Sequence, residues 1–275
     1  MCDACKWAEY KDKNVDWNQR EAELKVLLDK FRSRNGSYDI LVPGSGGKDS
    51  IYASHILKYK YNMNPLTITW APHLYTDIGF KNFQNWLHVG GFDNVLFTPN
   101  GRVHRKLTKL AYENLLHPFQ PFILGQKYFA PKLADKYNIA LVFYGENEAE
   151  YGNPIEENLT SKRKIEYFVQ NFKDNKEFMI SGLPSSELQK YNIHKSDLEP
   201  YFPVTDPGFL KKDIEVHYLG YYKKWTPQEC YYYSVENAGF QSNPERTEGT
   251  YSKYISIDDK TCLLYTSDAA DELTS

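Results

Sequence analysis

The sequence predicts an α/β protein: a doubly wound parallel sheet followed by a mainly helical C-terminal region. Three observations carry this. Short apolar runs at 38–43, 66–70, 94–98 and 140–144 read as buried strands, because a sheet covered on both faces shows continuous rather than alternating hydrophobicity. Segments with helical spacing separate these runs, which is the pattern of parallel strands joined by crossover helices. The first run ends in a glycine-rich turn that opens straight into a helical segment. Doubly wound sheets bind their ligands at such turns.

The elements follow in order. Over 15–34, Val15, Trp17, Leu24, Val26, Leu27, Leu28 and Phe31 recur at helical spacing among charged residues. This reads as a surface helix stopped by Asn35-Gly36. The first strand, 38–43, breaks at Gly44, and helical period resumes with Ile51, Tyr52, Ile56 and Leu57. Asn64-Pro65 introduces the second strand, 66–70, which is rich in β-branched residues. A loop over 71–77, a helix near 79–88 and the third strand, 94–98, come next. Helical segments at 103–116 and 122–137, punctuated by Pro118 and Pro121, lead to the fourth strand. Beyond Gly152 the texture changes. Residues 153–200 are polar with no clear strand, and 214–233 gather Tyr218, Tyr221, Tyr222, Tyr231, Tyr232 and Tyr233 around Trp225.

Composition narrows the class. Charged residues at 25% and hydrophobic residues at 41% are ordinary globular usage, which excludes wholesale disorder and collagen-like repeats. No run reaches the roughly 18 apolar residues of a membrane span, and no signal-like segment opens the chain. The expectation is therefore a cytoplasmic protein with no membrane insertion. Lys+Arg 33 against Asp+Glu 36 leaves a net charge of −3, so no global basic field argues for a nucleic-acid partner. Tyr 23 and Phe 15 exceed what a core needs, and such rings often line pockets for sugars or bases. Cys 4, only two of them close in sequence, does not suggest a disulfide scaffold.

The chemistry concentrates in Ser45-Gly46-Gly47-Lys48-Asp49-Ser50. Two glycines allow the backbone to approach an anion, and helix N-terminal N–H groups with two Ser hydroxyls then point at it. Lys48 adds a cation, and Asp49 is placed to hold magnesium or to cap the helix. Gly47 is expected at positive φ, with its missing Cβ leaving room for a phosphate. The string is neither a Walker A loop nor a dinucleotide G-x-G-x-x-G fingerprint.

These residues resemble the phosphate loop of the N-type ATP pyrophosphatases, the PP-loop superfamily. Strings at 69–79, 88–94, 98–101, 143–153 and 243–251 further resemble the N-acetyl sugar amidotransferases of bacterial surface-polysaccharide synthesis. The resemblance implies an adenine nucleotide alpha-hydrolase fold and an ATP-dependent amidotransferase. Such an enzyme converts the acetamido group of a nucleotide-linked sugar to an acetamidino group through an adenylated intermediate. It further implies ATP and magnesium as cofactors, zinc in the intact protein, and glutaminase and cyclase-like partner subunits that supply ammonia. Two alternatives stay open: a tRNA-thiolating enzyme on the same loop, and a non-catalytic nucleotide-binding subunit.

The remaining candidates sit at expected strand ends. Trp70 and Ala71 end the second strand, where they could hold adenine. Gly145, Glu146 and Asn147 end the fourth, where Glu146 could share magnesium with Asp49 or orient ammonia and Asn147 could bond an amide. Glu150 is a weaker candidate, and the alternative for this stretch is a turn made by Gly145 with Glu146 solvated. His73 and Tyr75, in the loop after the second strand, and Arg246, in a Pro/Gly-bounded loop, are candidate substrate contacts. Arg102, Arg105, Lys106 and Lys109 are either phosphate contacts or a solvated helix face. Cys230 reads as structural. Cys2 and Cys5 form one C-x-x-C, which is half of a zinc site, a redox dithiol or chance, so residues 1–10 are expected to be poorly tied down. From about 261 the sequence resembles a translated adapter, and the chain reads as a fragment. The expected divisions are 1–34, a half zinc knuckle and helix; 35–153, the ATP-binding domain; 154–260, the helical tyrosine-rich substrate and partner region; and 261–275, a non-native tail.

Overall fold

In the computed structural model the described residues are 3–145, 159–164, 168, 177–204, 213–246 and 250–261. The apolar runs become strands β1 (Ile40–Pro43), β2 (Pro65–Trp70), β3 (Asn94–Phe97) and β4 (Leu141–Tyr144). A small antiparallel hairpin, β5 (Met179–Ile180) with β6 (Leu183–Pro184), follows them, and then β7 (Glu215–Tyr218). The main sheet has the order β3-β2-β1-β4-β7, and every pair in it is parallel. Its fifth strand thus comes from the stretch read in sequence as mainly helical. Glu215 and His217 interrupt its apolar residues, so no unbroken apolar run stands out among the tyrosines.

Helices cover both faces of this doubly wound sheet. They are α1 (Asp3–Asn14), α2 (Trp17–Phe31), α3 (Lys48–His55), α4 (Asp77–His88), α5 (Gly101–Leu115), α6 (Gln120–Lys136), α7 (Lys195–Leu198), α8 (Leu219–Tyr222) and α9 (Pro227–Ala238). Side chains alternate across the sheet. Leu41, Ile68, Val142 and Val216 pack with Leu107 of α5 and Phe122 of α6 on one side. Ile40, Val42, Leu141 and Phe143 pack with Leu24 of α2 and Ala53 of α3 on the other. Burial on both sides explains why β1, β2 and β4 read as unbroken apolar runs. Beside α3, Phe83 and Trp86 of α4 join Phe240 and Ile257 in a third cluster, which ties the last described segment to the sheet's helices.

The N-terminal segment corrects the expectation of a loose end. Residues 3–10 lie in α1, which is held by buried Trp7 and by Lys11, whose Nζ donates to the Trp225 carbonyl at 2.9 Å. What reads in sequence as one helix over 15–34 begins at Asp16. There Oδ1 accepts from the N–H groups of Asn18 and Gln19 at 3.0 and 3.1 Å and caps α2. No helix among the described residues is long and apolar enough to cross a membrane.

Candidate active site at the strand carboxyl ends

The connection out of β1 runs to β2 on one side, and the chain returns on the other side as β4. The order therefore reverses between β1 and β4, and a crevice opens beyond their carboxyl ends. The 44–50 loop sits at that reversal. Gly44 extends the ladder by donating to the Ile68 carbonyl at 2.9 Å, and a Cβ on it would lie 2.9 Å from the Trp86 ring. Gly46 carries φ +89°, and a Cβ there would come within 2.5 Å of the Phe83 backbone. The left-handed conformation therefore falls at Gly46. Gly47 is the N-cap of α3 at φ −69°, which corrects the expectation of positive φ at Gly47. What Gly47 supplies is room for the Asp258 carboxylate, whose Oδ2 would lie only 3.1 Å from a Cβ there.

A cavity of about 410 Å³ opens over this loop, within the ordinary range for a small-molecule site. Its polar wall holds Ser45, Gly47, Asp49 and Ser50. Ser50 Oγ donates to the Gly47 carbonyl at 2.9 Å, closing the first turn of α3. Asp49 Oδ2 accepts from Lys48 Nζ, while Asp49 Oδ1 is buried with no hydrogen-bond partner among the described residues. An unmatched carboxylate oxygen at the edge of an anion loop fits a magnesium ligand. Lys48 itself is buried beneath the loop and does not line the cavity. Its ammonium lies 5.7 Å from the Tyr254 ring centroid, and its carbonyl accepts from Ser234 Oγ of α9 at 2.9 Å.

The opposite wall is apolar. Ile68 and Trp70 of β2 face Phe129 and Ala130 of α6, and Tyr144 and Tyr218 close one end with their rings stacked at 5.7 Å. Gly125 belongs to this wall's construction, because a Cβ on it would overlap the Trp70 indole. Gln126 and Lys127 of α6 add the wall's polar groups. None of these α6 residues stands out in sequence. The one available signal was an isolated glycine inside a helical run, which marks close packing.

Of the other candidates, Gly145 lines the cavity, with its Cβ position 3.2 Å from the Asp49 carbonyl oxygen. Glu146, Asn147 and Glu150 lie outside the described residues. Ala71 is buried and bonds through its N–H to Phe97 O at 2.8 Å, away from the cavity lining. His73 and Tyr75 sit on the same rim but do not line the cavity. The His73 N–H donates to Asp259 Oδ2, and its ring packs 4.7 Å from that of His104. Burial pushes the pKa of both histidines down, His104 to about 3, and the His104–Tyr201 hydrogen bond at 2.7 Å completes a neutral buried pair. Tyr75 pairs with Asp259 through a β-bridge. Arg246 is exposed and does not line the cavity.

Cys2 is outside the described residues, and Cys5 is exposed on α1. No group of three or more His, Cys, Asp or Glu among the described residues could hold a metal ion. The zinc expectation thus has no support there.

One site residue has no local signal at all. Asp258 lines the cavity, and its Oδ2 accepts from Ser45 Oγ at 2.7 Å. Burial, helped by the neighbouring Asp49 and Asp259, raises its pKa to about 6 against the opposing pull of Ser45 and Lys48. In sequence, Asp258-Asp259-Lys260 looks like an exposed turn. In the fold it runs across the rim of β2: the Thr76 N–H donates to Asp258 O at 3.2 Å and the Lys260 N–H to Leu74 O at 2.9 Å.

No protein-family model matches the chain, and no curated protein matches it either. Solved structures do resemble it. An NH3-dependent NAD synthetase from Campylobacter jejuni shares 12% identity at TM-score 0.38, over 72% of this chain and 91% of its own. An NMN synthetase from Francisella tularensis shares 11% at TM-score 0.38, over 95% and 97%. A tRNA thiolase from Methanococcus maripaludis shares 11% at TM-score 0.41, over 93% and 74%. Likenesses of this size carry no functional argument, which rests on this chain's own residues.

Proposed function

We propose that this chain is an ATP-dependent enzyme of the PP-loop pyrophosphatase type that cleaves ATP between its α and β phosphates. One observation carries the reading: Ser45–Ser50, a serine- and glycine-rich anion loop, opens at the β1/β4 reversal into a cavity with an apolar aromatic wall. The loop offers hydroxyls and helix N-terminal N–H groups to the β and γ phosphates, and the Trp70–Phe129 wall offers a surface for a base. Asp49, through Oδ1, is the described residue that would hold magnesium, which supplies charge neutralisation to the phosphates when bound.

The finer proposal is an N-acetyl sugar amidotransferase, supported by the sequence strings at 69–79, 88–94, 98–101, 143–153 and 243–251. The acetamido oxygen attacks the α phosphorus and pyrophosphate leaves. Ammonia then adds to the imidate carbon, and AMP departs with the oxygen. The chain's own part is positioning and electrostatic stabilisation. A nucleotide sugar, with glutaminase and cyclase-like subunits as ammonia source, completes the proposal. The described cysteines favour this over thiolation: Cys5 lies on α1, Cys230 is buried, and neither lines the cavity.

Incubation with ATP, magnesium, ammonium and a panel of acetamido nucleotide sugars tests the reading. Sugar-dependent release of AMP and pyrophosphate, with the O-to-NH mass change, is expected. ADP and phosphate as products would overturn the pyrophosphatase assignment. AMP release without amidine would overturn only the amidotransferase.

A further inference from the structure

The Ser45 hydroxyl has a single proton to donate, and in this structure it goes to a carboxylate of the chain itself. Asp258 Oδ2 lies 2.7 Å from Ser45 Oγ and 3.1 Å from the Cβ position of Gly47, the N-cap of α3. Both contacts lie where a bound phosphate oxygen would use the loop. A phosphate brought there would lose the Ser45 donor and would face a second anion in Asp258, with Asp49 already alongside. Like charges at that distance repel strongly in a partly buried site.

We propose that Asp258 is a self-supplied anion that occupies the phosphate position of the 45–50 loop, so that the 257–260 segment gates entry of a di- or triphosphate. The proposal rests on the reading of that loop as a phosphate site.

The segment is built to hold this position. Asp259 Oδ2 accepts from the N–H groups of His73 and Leu74, Thr76 Oγ1 donates to the Ile257 carbonyl, and buried Ile257 anchors the strap in the third core cluster. The fit depends on Gly79 in the first turn of α4, whose Cβ position lies 2.5 Å from the Asp258 carbonyl oxygen. Alanine is intrinsically the better helix former there, so the glycine answers to the strap. Opening requires either rotation of the Asp258 side chain or lift of the strap from α4.

Calorimetric titration with inorganic pyrophosphate, and separately with MgATP, tests this on the full chain. Asp258→Asn removes the charge with little change of shape, and Gly79→Ala displaces the strap without touching the loop. Both should bind pyrophosphate more tightly than the parent chain, by about 5- to 150-fold, the ordinary size of a coupling between two sites. Ser45→Ala should weaken binding in every background. Equal affinity in parent and Asp258→Asn would overturn the gate and leave the phosphate loop standing. Weaker binding by Asp258→Asn would also overturn it, making Asp258 a group that holds the ligand. If no variant, with melting temperature unchanged, binds pyrophosphate or ATP, the phosphate-loop reading fails and the gate fails with it.

Discussion

The two walls of the cavity are built in opposite ways. The polar wall is one contiguous stretch, 45–50, whose shape comes from its own backbone: positive φ at Gly46 and an N-cap at Gly47. The apolar wall is assembled from β2, α6, β4 and β7, which lie far apart in sequence. An anion cradle needs particular N–H directions and a particular φ, and only a local run supplies those. A surface for a flat apolar ligand needs only shape, which any packed side chains can supply. The polar wall should therefore fail through its backbone and the apolar wall through its volume.

The largest effect should come from the polar wall. Gly46→Val sets a branched residue at φ +89° with its Cβ against the Phe83 backbone. ATP turnover should fall by more than about a hundredfold, since misplacement of about 1 Å already costs that much. Gly47→Ala, at φ −69°, should keep most of its folding stability. Equal melting temperatures for Gly46→Ala and Gly47→Ala would break the contrast.

On the apolar wall, Trp70→Ala should cost about 3–5 kcal/mol in urea unfolding, because the indole is buried and leaves a cavity. Gly125→Ala, measured in the same way, should cost about 1–3 kcal/mol through overpacking against Trp70, although helix propensity favours alanine.

Smaller effects sharpen the link between the walls and the strap. Asp258 has a folded pKa of about 6 against an ordinary carboxyl value of 3.8. A raised carboxyl pKa means the folded state favours the protonated form. Stability is therefore fullest below about 3.8 and declines as pH rises through about 6. The side chain keeps some exposure, so water screens part of this and the change is on the order of 1 kcal/mol. Asp258→Asn should flatten the unfolding free energy between those two pH values, and an unchanged slope would show that another group titrates there. The smallest effect belongs to Arg246→Ala: the side chain is exposed and off the cavity lining, so stability should shift by less than about 0.5 kcal/mol with pyrophosphate affinity unchanged.

How much of this was legible in the sequence follows the same division. Strands β1, β2 and β4 were readable because burial on both faces leaves unbroken apolar runs, β3 because Val95, Leu96 and Phe97 are contiguous although only partly buried, and the anion loop because its residues are adjacent. Strand β7 was not, since Glu215 and His217 interrupt its apolar residues, and only its pairing to β4 (Leu141 opposite Glu215, Tyr144 opposite Tyr218) makes it a strand. The three candidate substrate contacts did not reach the cavity: His73 and Tyr75 are engaged by Asp259, and Arg246 faces solvent.

By itself, then, the sequence determined the alternating α/β pattern, the position of the anion loop after the first strand, and the glycines that loop requires. These depend on φ, hydrophobic period and capping, which act over a few residues. Only the tertiary structure decided that α6 and β7 wall the cavity, that Gly79 and Gly125 serve close approaches, and that Asp258 meets Ser45 across the fold. Those pairings come from how the layers pack, and no local periodicity encodes which distant side chain will fill a given space.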